Sequence, residues 1–135
     1  MADLTGGCLC GAVRFELTAP PTGAGSCHCR RCQRRSGAAW STNATIAPGS
    51  LRLLQGAEHV RGWTPPDGGM EKCFCDVCGG HLFSRPPGSE EVAGVRMGAF
   101  DGDPGVRPQW RQWLASAAPW ERVPADGEHF DGRRA

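Results

Sequence analysis

Cys75-Asp76-Val77-Cys78-Gly79-Gly80, read together with Cys8-Leu9-Cys10-Gly11 near the N-terminus, decides the fold of this chain. Two cysteines separated by two residues stand at the ends of a tight turn that brings both thiols to one point, and Gly79 lets the backbone relax behind them. Cys8 and Cys10 are two apart, so on an extended strand both side chains project to one face. Each pair is half of a tetrahedral site. Joined, Cys8, Cys10, Cys75 and Cys78 form a structural zinc site that closes a loop of more than sixty residues and ties metal affinity to folding.

A third cluster, Cys27-His28-Cys29-Arg30-Arg31-Cys32, supplies three cysteines and no obvious fourth ligand. Structural zinc sites are filled by four protein ligands, whereas catalytic ones keep a position for water or substrate, so a trio at Cys27, Cys29 and Cys32 points to chemistry. The rival is a fourth ligand from elsewhere: His28, His81 or above all Cys73, the eighth cysteine. His28, between two ligands on an extended segment, points away from them and reads as a packing residue. Arg30, Arg31, Arg34 and Arg35 crowd the cluster, and guanidinium forks suit carboxylates. Arg30 and Arg31 are therefore the candidates for holding an anionic thiol, although a charge run of this kind also occurs as a solvated basic loop.

The chain has 135 residues, the size of one domain, with 39% hydrophobic residues, 20 glycines and 11 prolines. The core is modest and turns are many, so a metal staple is useful. A formal charge of +1, with Lys72 the only lysine, gives no overall pull toward nucleic acid or anionic membrane. No run reaches the roughly 18 to 20 apolar residues of a membrane span, and MADLTGGCLCG lacks the basic and apolar regions of a secretory signal. A cytoplasmic location is expected, and in that reducing compartment the eight cysteines are not expected to form structural disulfides; seven of them are read as metal ligands.

Short β-like runs broken by Gly, Pro or Asn fill most of the chain: 12–18, 38–46, 51–55, 58–63, 69–75, 81–85 and 91–99. Nothing carries a helical period, so a mainly antiparallel β domain over residues 1–123 is expected, followed by a polar, loosely held tail over 124–135. Residues 109–117 fit a helical turn and a packed edge segment equally well. Trp40, Phe83 and Trp120 read as packing residues.

GGCLCGAVRFEL (6–17), CHCRRCQRRSGAAW (27–40), FCDVCGGHLF (74–83) and SAAPWE (116–121) resemble, in order and spacing, the motifs of the glutathione-dependent formaldehyde-activating enzyme family, which has a centromere-associated branch. The resemblance spans roughly residues 5–130. It implies a small zinc-stapled, Mss4-like β fold. It also implies two zinc ions per chain, one on Cys8, Cys10, Cys75 and Cys78, the other on Cys27, Cys29 and Cys32. The activity implied is carbon–sulfur lyase chemistry: addition of glutathione or a similar thiol to formaldehyde or another small aldehyde, or the reverse, with that thiol and aldehyde as partners. Arg111-Gln112 stands where many relatives carry His-Ile. Two other classes are compatible with the same residues: a non-catalytic zinc-binding interaction module presenting the Arg30 to Arg35 loop, and a chaperone-like structural partner.

Overall fold

The computed structural model describes residues 4–134. Among the described residues, eleven short strands are joined by turns, loops and one short helix: β1 (Thr5–Gly7), β2 (Arg14–Leu17), β3 (Gly23–Cys27), β4 (Ser41–Thr45), β5 (Leu51–Gln55), β6 (Val60–Trp63), β7 (Glu71–Cys75), β8 (His81–Arg85), β9 (Gly94–Arg96), β10 (Trp110–Gln112) and β11 (Glu128–His129). They form a three-stranded sheet, β1-β2-β5, and an eight-stranded sheet ordered β11-β10-β3-β4-β9-β8-β7-β6. Pairing is antiparallel except around β10, which runs parallel to both β3 and β11. The fold is mainly β, as expected. Strands at 51–55 and 81–85 match their sequence-derived bounds, because apolar runs there end at Gly or Pro.

Period-two alternation builds the core. Phe15 and Leu17 on β2 are buried while Arg14 and Glu16 look outward, and Ala44, Cys73, Leu82, Phe83 and Val95 meet them from the larger sheet. The Phe15 ring meets Phe100 edge-on at 5.9 Å. Gly25 on β3 shows how closely β10 is laid down: a Cβ there would sit 2.0 Å from the Trp110 ring.

Four expectations need correction. Residues 30–36 form a helix, α1 (Arg30–Ser36), not a basic loop. Its sequence hides it because the one buried side chain is a glutamine: Gln33 donates its amide to the carbonyls of His28 (2.7 Å) and Ser116 (2.8 Å), so no apolar period is written. Cys8 and Cys10 lie in the irregular segment after β1, which bends at Leu9 and Cys10, rather than on a strand. The Cys8 amide donates to the Val13 carbonyl (3.1 Å), curling the segment back on itself. The segment after Pro124 is not loosely held, since β11 pairs with β10, the Phe130 amide donates to the Arg111 carbonyl, and the Arg134 guanidinium covers the Trp110 ring. Trp120, expected to pack, is 65% exposed because it follows Pro119 on a surface turn. The ambiguous segment 109–117 contains β10 and a 3₁₀ turn over Leu114–Ser116. Among the described residues no helix is long and apolar enough to cross a membrane.

Candidate metal centre and adjoining cavity

The first sulfur cluster is assembled by a loop and a turn at opposite ends of the chain. Cys8 and Cys10 place their Sγ atoms 3.7 Å apart, and Cys10 Sγ lies 4.0 Å from Cys75 Sγ; all four sulfurs of Cys8, Cys10, Cys75 and Cys78 lie within 4.8 Å of one another. Four sulfurs sharing one tetrahedral ion at a bond length of about 2.3 Å stand roughly 3.8 Å apart, so the donor set fits such an ion. Gly79 takes φ +77°, as the turn requires, and its amide donates to the Cys75 carbonyl at 2.8 Å. Backbone amides face the sulfurs: Val13 to Cys8 (3.3 Å), Val77 to Cys75 (3.4 Å) and Gly80 to Cys78 (3.4 Å). Amides of Cys10 and Gly80 stabilise the Cys78 thiolate, lowering its pKa to about 6.

The second cluster is Cys27, Cys29 and Cys32, whose sulfurs also lie within 4.8 Å of one another. Cys27 ends β3, Cys29 is the N-cap of α1, and Cys32 sits in its first turn, with the Cys32 amide donating to Cys29 Sγ at 3.4 Å. The contact with Cys27 lowers the Cys32 pKa to about 5 against its burial, with help from Ser41, while the same contact pushes Cys27 up. Cys27 and Cys32 thus share one proton, which stays with Cys27.

No fourth His, Cys, Asp or Glu among the described residues joins this trio. Cys73 is 1% exposed in the core between β6 and β8, where burial raises its thiol to about 11. Its neighbour Lys72 points to the other face, toward the trio. His28 is buried against Trp40, with ring centroids 4.9 Å apart, and its Nε2 accepts from the Arg111 guanidinium at 3.3 Å. Burial and then Arg111 lower its pKa to about 4. Arg111 also lies over the Trp40 ring at 5.1 Å, so it packs beneath the cysteine segment. His81 borders a separate, wider depression of about 680 Å³ that also holds Arg14, Asp101 and Arg96.

The trio forms one wall of a cavity of about 170 Å³. Trp63, Met70 and Trp113 give it an apolar rim, and Arg31, Arg35, Lys72 and Arg96 give it positive charge. Trp113 is the only non-glycine residue with positive φ (+60°) among the described residues, a strained conformation at the mouth of the site. Of the two arginines singled out in the sequence, Arg31 borders the cavity while bonded to Asp67 (3.0 Å) and the Gly68 carbonyl (3.1 Å). Arg30 turns away and bonds Gln33. Lys72, Arg96, Trp63 and Trp113 carried no usable signal beyond Lys72 being the chain's one lysine, because cross-strand register brings them in: Trp63 pairs with Lys72, and Arg96 with Asn43.

These features define a small β domain with two thiol clusters that could each hold a metal ion, one of them on the wall of a cavity. The model of the family described as glutathione-dependent formaldehyde-activating enzyme matches residues 3–116, and the chain belongs to that family. A curated Halomonas elongata protein, named "Putative glutathione-dependent formaldehyde-activating enzyme", is 30% identical over 108 residues, covering 74% of this chain and 67% of its own. The crystal structure of a Rhodobacter sphaeroides protein superimposes with a TM-score of 0.55 at 29% identity, covering 73% of this chain and 89% of that one.

Proposed function

We propose that the protein is a zinc-dependent enzyme of the carbon–sulfur lyase type, which joins a thiol such as glutathione to formaldehyde or another small aldehyde, or runs the reverse. The observation that carries this reading is three sulfurs, with no fourth protein donor among the described residues, on the wall of a cavity. The family membership supports the thiol and the aldehyde as substrate classes. In the forward direction the thiol loses its proton, a carbon–sulfur bond forms, and the carbonyl oxygen takes up a proton. No oxidant or reductant is needed.

Cys8, Cys10, Cys75 and Cys78 would hold a structural zinc, and Cys27, Cys29 and Cys32 a second. Bound to the trio, zinc supplies a Lewis-acid position that favours a thiolate or polarises a carbonyl. The chain's own residues supply the rest. Lys72, Arg35 and Arg96 favour anionic sulfur by charge, and Trp63, Met70 and Trp113 give the cavity an apolar rim. Arg31 stands at the rim, where an anionic thiol's tail would pass. A cytoplasmic setting agrees with eight free cysteines. The interaction-module alternative has less support: Arg31 and Arg35 border the cavity and Arg30 is tied to Gln33, which leaves Arg34 as the one of the four facing outward without such a tie.

The test is to add glutathione and formaldehyde to the zinc-loaded protein and follow adduct exchange by NMR. Exchange faster than in buffer, lost in Cys29→Ser, is expected. No acceleration over buffer overturns the proposal.

A further inference from the structure

Arg35, Lys72 and Arg96 reach the sulfur-walled cavity from α1, β7 and β9. All three are partly buried, and burial lowers the pKa of each. None has a carboxylate partner among the described residues, whereas seven other arginines (14, 31, 52, 61, 85, 107 and 111) each face an Asp or Glu. Arg35 Nε is buried without any hydrogen-bond partner, and its guanidinium rests over the Phe74 ring at 5.6 Å. A desolvated cation without a counter-ion is costly, so three of them around one small cavity mark a surface built to meet negative charge.

The sulfurs meet only part of it. Three thiolates on a divalent ion carry a net single negative charge, which leaves about two of the three positive charges uncompensated. A reactant sulfur arriving as thiolate answers one more. Formaldehyde answers none. The cavity, about 170 Å³, is also smaller than the roughly 300–1,000 Å³ of ordinary ligand pockets. The distal carboxylates of a tripeptide thiol therefore lie outside its walls, and the remaining charge must be met by a group close to the reacting atoms.

We infer that this cavity selects a reactant whose carboxylate lies within a few bonds of its reacting atom and is seated by Lys72, Arg35 and Arg96. That chemistry has two sources, a 2-mercapto acid on the thiol side or a 2-oxo acid aldehyde on the carbonyl side. The inference names the substrate class of the reaction proposed above and rests on that reading for its carbonyl arm.

Calorimetric titration of the zinc-loaded protein compares mercaptoacetate with 2-mercaptoethanol, and glyoxylate with acetaldehyde. At least tenfold tighter binding of the charged member is expected in one arm, and that arm identifies the source. Lys72→Gln and Arg96→Gln should each cut the ratio severalfold, weakening the charged ligand more than its neutral counterpart; if Arg96→Gln does not fold, Lys72→Gln decides. A ratio near one in both arms, or one that survives these substitutions, overturns the inference. A charge preference without accelerated adduct formation keeps this inference and sinks the reaction, and accelerated formation without preference does the reverse.

Discussion

The two cysteine clusters differ in what surrounds their sulfurs. The four-sulfur cluster is faced by backbone amides from Val13, Val77 and Gly80, which are part of the turns that carry the cysteines. The three-sulfur cluster is faced by side-chain cations, Arg35 from α1 itself and Lys72 and Arg96 from the distant strands β7 and β9. Amides in tight turns are fixed in place and suit a site that only holds the fold together. Desolvated side-chain cations next to a cavity suit a site whose charge changes as ligands come and go. The same ligand type is thus set up for permanence in one place and for exchange in the other.

The sharpest way to break this comparison is to disable the four-sulfur cluster. Cys75→Ser should abolish the cooperative thermal transition, because Cys75 is a buried core residue as well as a sulfur donor, and structural zinc contributes on the order of 10 kcal/mol to small domains. A cooperative melt in that variant, with one metal ion still bound at the trio, would show that the cluster is not the staple.

Cys29→Ser should act oppositely. Serine is itself a good N-cap, so α1 should survive, and metal analysis should find a drop from two ions to one while circular dichroism stays unchanged and adduct formation falls at least about 100-fold. Loss of the fold instead would make the trio structural too.

A smaller effect is expected from His28, packed beneath the trio. Its folded pKa, about 4, lies below the ordinary value of 6.5, so it binds fewer protons in the folded state. Its contribution to stability is complete above pH 6.5, declines as the pH falls, and is gone once the pH has passed through the folded value. Denaturant titration of wild type against His28→Gln should therefore show the wild type losing on the order of 2 kcal/mol more between pH 7 and pH 5. Parallel curves would place His28 in a wetter setting than the Trp40 and Arg111 stack provides.

The smallest effect belongs to Cys73. Cys73→Ala should cost about 1 kcal/mol by emptying a little core volume, with unchanged metal content and unchanged adduct exchange. Loss of one metal ion would mean that Cys73 serves the trio after all.

Much of this was legible in the sequence because it is local. The C-x-x-C turn, the glycine that follows it and the C-x-C-x-x-C run each bring their thiols together within a few residues, whatever the remainder of the chain does. The helix was not legible, since its inward residue is Gln33, held by two hydrogen bonds rather than by apolar contact. Nor could spacing alone place Cys8 and Cys10, which meet through a bend instead of a pleat.

The sequence by itself determined the local groups, Cys8 with Cys10, Cys75 with Cys78, and Cys27 with Cys29 and Cys32, because chain connectivity over two or three residues leaves little else open. Only the tertiary structure decided that Cys73 turns into the core while Lys72 turns to the trio, and that Arg96 arrives beside them. Strand register sets both outcomes. A side chain's face is fixed by pairing with the neighbouring strands β6 and β8, and a one-residue slip would have exchanged the lysine for the cysteine at the wall of the cavity.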